Sequence, residues 1–400
     1  MPDETTSGVR TRLQSIDILR GAIMIIMALD HVRDYVSRDA QHFRPDDLTQ
    51  TTAALFFTRW ITHFCAPVFM LLAGAGAFLW QQRGRTKGEL SRFLITRGLW
   101  LIFLDLTFVR CFGFFFTFDY GVIVLLVIWA LGASMIALAA LIYLPQRLLL
   151  AVSLLMIFLH DLTDGVRAGQ FGGWAWLWDI LHQQGAFPLG GHTMVTAYPL
   201  VPWIGVMSAG YCFGQLFLLE ADHRRRILLR LGTAITLAFV LVRAINIYGD
   251  PRPWTAQKST VFTVLSFLNC AKYPPSLDYL LMTLGPAILV LGLIEHVRVG
   301  PSNPLLVFGR VPMFYYVLHL PLIHAVAALI AGIQFHDLAF LFKHPLPTAG
   351  GDPKTFPADY GFGLPGVYLA WFLIVVALYF PCRWYADLKQ RRRDAWLSYL

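Results

Sequence analysis

The sequence predicts an all-α protein, a polytopic bundle of about ten transmembrane helices. Of 400 residues, 57% are apolar and 14% are charged, whereas an ordinary soluble domain carries roughly 25% charged residues. The apolar residues come in blocks of about 18 to 25, the length that crosses roughly 30 Å of hydrocarbon at about 1.5 Å per helical residue. We expect one membrane domain over residues 1–400.

The first apolar block, Ile16–Val32, follows Arg10 and Arg12 much as the apolar part of a signal peptide follows basic residues. It lacks a small-residue cleavage site and continues into polar sequence, so we interpret it as a retained first helix. With the apolar blocks that follow, the predicted helices are residues 14–35, 54–80, 93–112, 120–143, 147–161, 199–219, 227–248, 277–297, 306–331 and 364–383.

Basic residues predict the orientation of the bundle. The strongest clusters, Gln81–Arg97, His223–Arg230 and Arg383–Arg393, fall on the same side as the N-terminus, and Lys and Arg are enriched in cytoplasmic loops. Both termini are therefore predicted to be cytoplasmic. The net charge of +8 then reflects topology and contact with membrane lipid, so no nucleic-acid partner is expected.

Three long segments are predicted on the opposite side of the membrane: Arg33–Ala53, Asp161–Tyr198 and Gly332–Gly363. Long loops often carry function, so the working surface is expected to face outward. Within the second segment, the Trp-rich stretch Phe171–Leu181 is too short to span. It either lies in the interface or re-enters the bundle.

Five cysteines form no CxxC pair, so neither a disulfide framework nor a zinc site is indicated and no metal is predicted.

Helix 1 carries ionisable residues that hydropathy does not explain, and such residues usually face a cavity or a partner. Asp17 and Arg20 are three residues apart and can pair. His31 follows eleven residues after Arg20, between Asp30 and Asp34. At about 100° and 1.5 Å per residue, Arg20 and His31 lie about 20° apart around the axis and about 16 Å apart along it. The spacing predicts that they share one face.

This spacing suits a substrate that threads the membrane, with phosphates at Arg20 and a reactive tip at His31; acyl-CoA has such a shape. Histidine accepts a proton from an attacking hydroxyl or amine near neutral pH, and Asp34 or Asp30 can orient the ring. In the alternative interpretation, Asp17 and Arg20 form a structural pair and His31 is an interfacial residue satisfied by Asp34.

Four segments carry a family resemblance: Arg12–Gly21 with the apolar run to Asp30-His31, Phe57–Gly74, Tyr198–Met207 and Gly309–His319. Together they resemble bacterial members of the heparan-alpha-glucosaminide N-acetyltransferase catalytic family. The resemblance implies a multi-pass acyltransferase of the bacterial inner membrane. Such an enzyme takes acetyl from cytoplasmic acetyl-CoA and delivers it, by N- or O-transfer, to an extracytoplasmic sugar or amino sugar.

The resemblance also assigns roles. Related membrane O-acyltransferases carry an Arg, ten residues and then a catalytic His in their first helix, and Arg20 and His31 match that spacing. In the lysosomal branch of the family, an asparagine stands where His31 falls and the proposed catalytic histidine lies further along the loop. His42 is the nearest residue here to that second arrangement.

Other candidates lie outside helix 1, each with a plainer alternative. His63 is either a second catalytic or acceptor-binding group or an interfacial histidine, and His192 and His319 are candidate substrate-binding residues or satisfied structural histidines. Three arginines either bind donor phosphates or reflect only the enrichment of basic residues on the cytoplasmic side: Arg92, Arg97 and Arg310. Asp105 and Arg110 are interpreted as structural residues, paired with each other or with neighbours.

Two other classes of function stay open. The first is a transporter or flippase of a sugar or lipid-linked glycan, because intramembrane charges and Pro199 and Pro202 in helix 6 also suit alternating access. The second is a haem or quinone redox protein with His63, His319 and His324 as ligands. A homo-oligomer is compatible with each of these functions, the acyltransferase included.

Overall fold

The computed structural model describes residues 13–114, 118–343, 352–392, 394 and 397. Arg10, Arg12, Arg393 and the middle of the predicted loop Gly332–Gly363 lie outside the described residues. The described chain is mostly helical, as predicted. Its α-helices are α1 (Gln14–Val36), α2 (Ala53–Trp60), α3 (Cys65–Gln81), α4 (Lys87–Leu104), α5 (Val127–Leu141), α6 (Gln146–Phe158), α7 (Ala175–Leu181), α8 (Leu200–Phe213), α9 (Ala221–Ile245), α10 (Thr260–Leu268), α11 (Leu277–Leu293), α12 (Pro304–Arg310), α13 (Pro312–Phe335), α14 (Phe340–Lys343) and α15 (Leu364–Arg391).

Short irregular helices extend several of these elements. Ile61–Phe64 joins α2 to α3 as a 3₁₀-helix, and a π-helix, Asp105–Phe114, follows α4. The Trp-rich stretch of the second long loop folds as a 3₁₀-helix, Ala168–Trp174, followed by α7. The remaining 3₁₀-helices are Asp39–Gln41, His160–Thr163, Gly214–Leu218 and Pro353–Thr355.

Membrane spans were predicted at ten places, and each place coincides with one or two of these helices. Within the described residues, five helical segments are long and apolar enough to cross a membrane. They are Ala53–Gln81, Leu200–Leu218, Ala221–Ile245, Pro312–Phe335 and Leu364–Arg391. The total of about ten spans and the direction of insertion stay predictions.

A small sheet departs from the all-α prediction. Its strands are β1 (Val122–Leu125), β2 (Gly185–Leu189) and β3 (His192–Thr196), with β3 in the centre, parallel to β1 and antiparallel to β2. The predicted helix 120–143 is therefore wrong at its start. An apolar run such as Val-Ile-Val-Leu is compatible with strand or helix, and pairing with β3 decides for strand.

Another predicted helix is interrupted. The segment 306–331 breaks at Val311, which has φ −130° and ψ 48° and separates α12 from α13. Val311 precedes Pro312, and the residue before a proline is disfavoured in the α region. Asp105 and Arg110, predicted to pair with each other or with neighbours, bind neighbouring backbone: Asp105 accepts from Leu126 N at 3.1 Å, and Arg110 donates to Val122 O. Both side chains thus hold the ends of β1.

Helix α1 packs against α3, α12, α13 and α15. It approaches α12 so closely that a Cβ on Gly21 would lie 1.8 Å from Leu305 O, and a Cβ on Gly309 would lie 1.8 Å from Asp17 O. Only glycine fits at these two positions. The crossing holds α1 at a fixed depth and rotation, which sets the direction of its ionisable side chains.

A buried ion pair joins α9 to the segment after α11, beside the start of α1. Arg224 on α9 bonds Glu295, which follows α11, and both side chains are almost fully buried. Ser15 Oγ donates to the other Glu295 oxygen at 3.2 Å. These contacts connect the ends of α1, α9 and α11.

Candidate active site

One large cavity, of 1310 Å³, runs along α1. Its walls come from α1, the α2–α3 segment, α4, α5, β1, β3, the start of α13 and the loop after α10. Sites for drug-sized ligands enclose about 300–1,000 Å³, so this cavity accommodates a larger or longer molecule. Arg20 and His31 both line it, as their predicted common face requires.

The Arg20 end of the cavity consists of Arg20, Trp80, Phe93 and Arg97. Arg20 Nη1 lies 3.4 Å from Asp17 Oδ1 and donates to Gly309 O at 3.2 Å, so the predicted Asp17–Arg20 pair is present. Trp80 and Phe93 are stacked with centroids 4.6 Å apart, and the Arg97 guanidinium lies 5.4 Å from the Phe93 ring centroid. Two guanidinium groups, one of them over an aromatic face, are suited to bind a phosphorylated, planar group.

The middle of the cavity is apolar. Its lining includes Met24 and Met27 on α1, Phe69 and Met70 on α3, and Met135 on α5. Unbranched methionine side chains adapt to the shape of what they contact. This section therefore suits a narrow, flexible chain between two polar ends.

The His31 end of the cavity consists of Asp30, His31, Arg59, His63 and Lys272. Asp30 is its electrostatic centre, because it accepts from Thr62 Oγ1 at 2.8 Å and from Arg59 Nη1 at 3.3 Å. Lys272 Nζ lies 4.0 Å from the second Asp30 oxygen. Anions and cations alternate here, because charges that are removed from water need partners of opposite sign.

Arg33, which is buried and also lines the cavity, extends this network. Its Nη2 lies 2.8 Å from Asp30 and 2.6 Å from Asp34. Both carboxylates that were predicted to orient His31 therefore bind cations, and they lie beside His31 along α1. A proton accepted by His31 would be stabilised by their charge.

His319 supports His31 from behind. The two ring centroids lie 5.2 Å apart, and His319 is fully buried with Nδ1 2.6 Å from Tyr316 O. The ring of Tyr315 stacks on its other side at 5.6 Å. His319 thus contacts His31 rather than the cavity itself, and among the described residues its Nε2 has no hydrogen-bond partner.

His63 lies in the cavity wall on the 3₁₀-helix between α2 and α3. Tyr279 Oη donates to its carbonyl oxygen at 2.7 Å, and the two rings are 5.4 Å apart. Within the described part of the chain, the buried Nδ1 of His63 has no hydrogen-bond partner. A second imidazole therefore lines the same end of the cavity.

The mouth beyond the His31 end is polar and partly exposed. Arg44 and Arg252 both bind Asp46, at 2.8 Å and 3.5 Å, and Tyr198 Oη lies 3.3 Å from Tyr273 Oη. Burial raises the pKa of Asp46, but the hydrogen bond from Arg44 and the neighbouring guanidinium charges outweigh burial and hold the pKa below its ordinary value. Asp46 therefore stays ionised at the mouth.

Several predicted residues lie away from the cavity lining within the described structure. Arg92 is exposed on α4, and Arg310 ends α12 next to Gly309, the acceptor for Arg20. His192 is exposed on β3 with Nδ1 2.8 Å from Tyr120 O. His42 Nε2 lies 2.9 Å from Ala358 O, and His324 Nδ1 lies 3.0 Å from Gly113 O.

Lys272, Arg33 and Tyr273 were missed by the sequence analysis. Lys272 and Tyr273 stand in the segment Cys-Ala-Lys-Tyr-Pro-Pro, between predicted helices 7 and 8. Nothing periodic marks them, and a lone lysine in a loop usually contacts solvent. The one available signal is the burial implied by the apolar and proline neighbours.

Chemically, the cavity presents Arg20 and Arg97 at one end, and at the other it presents two imidazoles beside a network of paired charges. Positions 20 and 31 of α1 are separated by about 16 Å along the helix, and the apolar section lies between them. Among the described residues, no cluster of three His, Cys, Asp or Glu side chains is arranged to hold a metal ion. The arrangement is suited to hold an anionic group at one end and to accept a proton at the other.

Comparison with known families agrees with the resemblance found in the sequence. A family model described as heparan-alpha-glucosaminide N-acetyltransferase, catalytic, matches residues 12–249, which is more than half of the 400 residues. The matched range contains Arg20, His31, His63 and Arg97, whereas Lys272 and His319 follow it. No curated protein matches the chain.

Proposed function

The chain belongs to the heparan-alpha-glucosaminide N-acetyltransferase catalytic family, and on this basis we propose that it acetylates an acceptor across a membrane. The donor is cytoplasmic acetyl-CoA, and the acceptor is a sugar or amino sugar on the outer side of the bacterial inner membrane. One observation carries the proposal: Arg20 and His31 line a single cavity from opposite ends of its apolar section.

In this proposal the donor enters from the Arg20 end. Arg20 and Arg97 bind the phosphates, and the Trp80–Phe93 pair lies beside the nucleotide. The pantetheine arm passes between the methionines of the middle section. The thioester then lies beside His31, at the end that opens toward Arg44 and Arg252.

His31 acts as the general base. It accepts the proton of the acceptor hydroxyl or amine while the acceptor oxygen or nitrogen attacks the thioester carbonyl carbon. The carbon–sulfur bond then breaks, and the CoA thiolate takes up the proton from His31. Asp30 and Asp34 stabilise the imidazolium electrostatically, and His63 binds the acceptor. A covalent acyl-histidine is the alternative route, and direct transfer needs one fewer step.

A transport function is the second candidate, because a cavity with polar ends and an apolar middle also suits passage of a sugar. The two functions differ in their dependence on His31. Retained flux of a sugar or lipid-linked glycan after His31→Ala, with no acyl transfer by the wild type, would favour transport.

The test uses inside-out vesicles that contain the full chain, supplied outside with acetyl-CoA labelled in its acetyl group. Label is counted in enclosed and lipid-linked glycan. The wild type should transfer label, and His31→Ala should lower transfer by about 10²–10⁴-fold while the protein remains inserted. His296→Ala serves as the matched control, since His296 is half exposed and pairs with Asp222. Equal transfer by wild type and His31→Ala would overturn the site.

A further inference from the structure

We propose that Lys272 is a catalytic residue of the transfer reaction: its ammonium donates a hydrogen bond to the thioester carbonyl oxygen as that oxygen becomes negative. The inference rests on the proposed acyltransferase function. It adds a residue that lies beyond the matched range 12–249. The carrying observation is a buried ammonium that faces the reaction end of the cavity.

Lys272 is placed at the point where the chemistry is proposed to occur. Its side chain is only 9% exposed, yet it lines the cavity together with His31 and His63. Its charge acts on both imidazoles. A cation at this end of the cavity stabilises negative charge that develops there.

The ammonium keeps donor capacity for a ligand. Its ion-pair partner Asp30 lies 4.0 Å away, and that carboxylate is already bound by Arg33, Arg59 and Thr62. Within the described residues, Lys272 Nζ makes no hydrogen bond, and its other close neighbour is the Tyr273 ring at 5.2 Å. An ammonium has three N–H donors, so they remain available to an occupant of the cavity.

The backbone around Lys272 is held by a second buried network. Asp250 Oδ2 accepts from Ala271 N and Ser276 Oγ, both at 2.6 Å. Arg243, itself buried, lies 3.8 Å from Asp250 and donates to Phe267 O at 2.9 Å. The backbone of Lys272 is therefore held in place before substrate binds, which limits the reorganisation that the donor needs in the transition state.

The step balances without another reactant. The acceptor oxygen or nitrogen forms a bond to the carbonyl carbon, its proton passes to His31, and the carbonyl electron pair moves onto oxygen. Lys272 stabilises that oxyanion by a hydrogen bond and keeps its own proton. When the carbonyl re-forms, the carbon–sulfur bond breaks and the CoA thiolate takes the proton from His31.

The experiment compares Lys272→Met, Lys272→Arg and Lys258→Met in the full chain. Lys258 is an exposed lysine of the preceding loop, before α10, with its ammonium over the Phe262 ring at 4.2 Å, and it serves as the control. Turnover of labelled acetyl-CoA is measured at saturating acceptor. Binding of desulfo-CoA, which carries the nucleotide but no thioester, and the melting temperature in detergent are measured in parallel.

Lys272→Met should lower kcat by about 10²–10³-fold, with desulfo-CoA binding changed by less than about 3-fold. Lys272→Arg should recover part of the lost kcat, and Lys258→Met should match the wild type. A Lys272→Met kcat within about 3-fold of an active wild type overturns the role of Lys272 alone. If Lys272→Met does not fold, the Lys272→Arg variant decides. A wild-type kcat for Lys272→Arg, with Lys258→Met also unchanged, would count against a positioned donor. A wild type without transfer overturns the proposed function together with this step.

Discussion

Arg20 and His31 line the same cavity from one helix, eleven residues apart. Arg20 is fixed by Asp17 and by the carbonyl of Gly309, and the ring of His31 packs on His319. Each group is held by a different neighbour of α1. The distance between an anion-binding end and a proton-accepting end is therefore a fixed property of the fold.

Arg97→Gln should weaken donor binding about tenfold, whereas Arg92→Gln should change it by less than about twofold. The charged partner of a phosphate typically contributes about 1.5–3 kcal/mol. Arg97 lines the cavity over the Phe93 ring, while Arg92, five residues earlier on α4, is exposed. Titration with desulfo-CoA measures both affinities, and equal losses for the two variants would show that general positive charge is what matters.

His63→Gln should raise the KM for the acceptor and leave the KM for acetyl-CoA unchanged. The reason is the position of His63 at the His31 end, with a buried Nδ1 that lacks a partner among the described residues. Initial rates over a grid of both substrate concentrations separate the two constants. A change confined to the donor constant would place His63 on the thioester instead.

Gly309→Ala should destabilise the protein by about 1–3 kcal/mol or more, because the added Cβ would lie 1.8 Å from the backbone oxygen of Asp17. Gly76→Ala on α3 is the matched helical control, since its Cβ would meet nothing within 4 Å. Thermal unfolding in one detergent compares the two variants. An unchanged melting temperature for Gly309→Ala would mean that α1 and α12 do not cross so closely.

Removal of either partner of the Arg224–Glu295 pair should cost about 3–5 kcal/mol, because each change leaves one buried charge without its partner. The double variant Arg224→Met with Glu295→Leu should lose less than the sum of the two single losses. Thermal unfolding of the four proteins gives the coupling. Strict additivity would contradict a direct buried pair.

Acid should weaken the mouth of the cavity through Asp46. Its pKa in the folded protein lies below the ordinary value of about 3.9, so its stabilising effect is complete above that value and is lost as pH falls toward the folded pKa. Asp46→Asn should therefore flatten the loss of stability below about pH 4. Parallel acid curves for wild type and variant would show that the Arg44 and Arg252 contacts contribute nothing.

The sequence alone determined the features that depend on composition and on spacing within one helix. Long apolar blocks predicted a helical membrane protein, and ten helical regions lie where these blocks are. The family resemblance is confirmed by the match over residues 12–249. The common face of Arg20 and His31 followed from helical geometry, because a helix fixes the angle between residues eleven positions apart.

Tertiary structure decided what depends on contacts between distant segments. Val122–Leu125 became a strand because β3, some seventy residues later, supplies its partner. Lys272 lies at the His31 end of the cavity because contacts of Arg243 and Asp250 hold its loop against the bundle. Arg92 and Arg97 have the same charge and lie on one helix. Packing alone leaves Arg92 exposed and places Arg97 in the cavity wall. Contacts between distant segments leave no local periodicity in the sequence, so they are seen only in the folded structure.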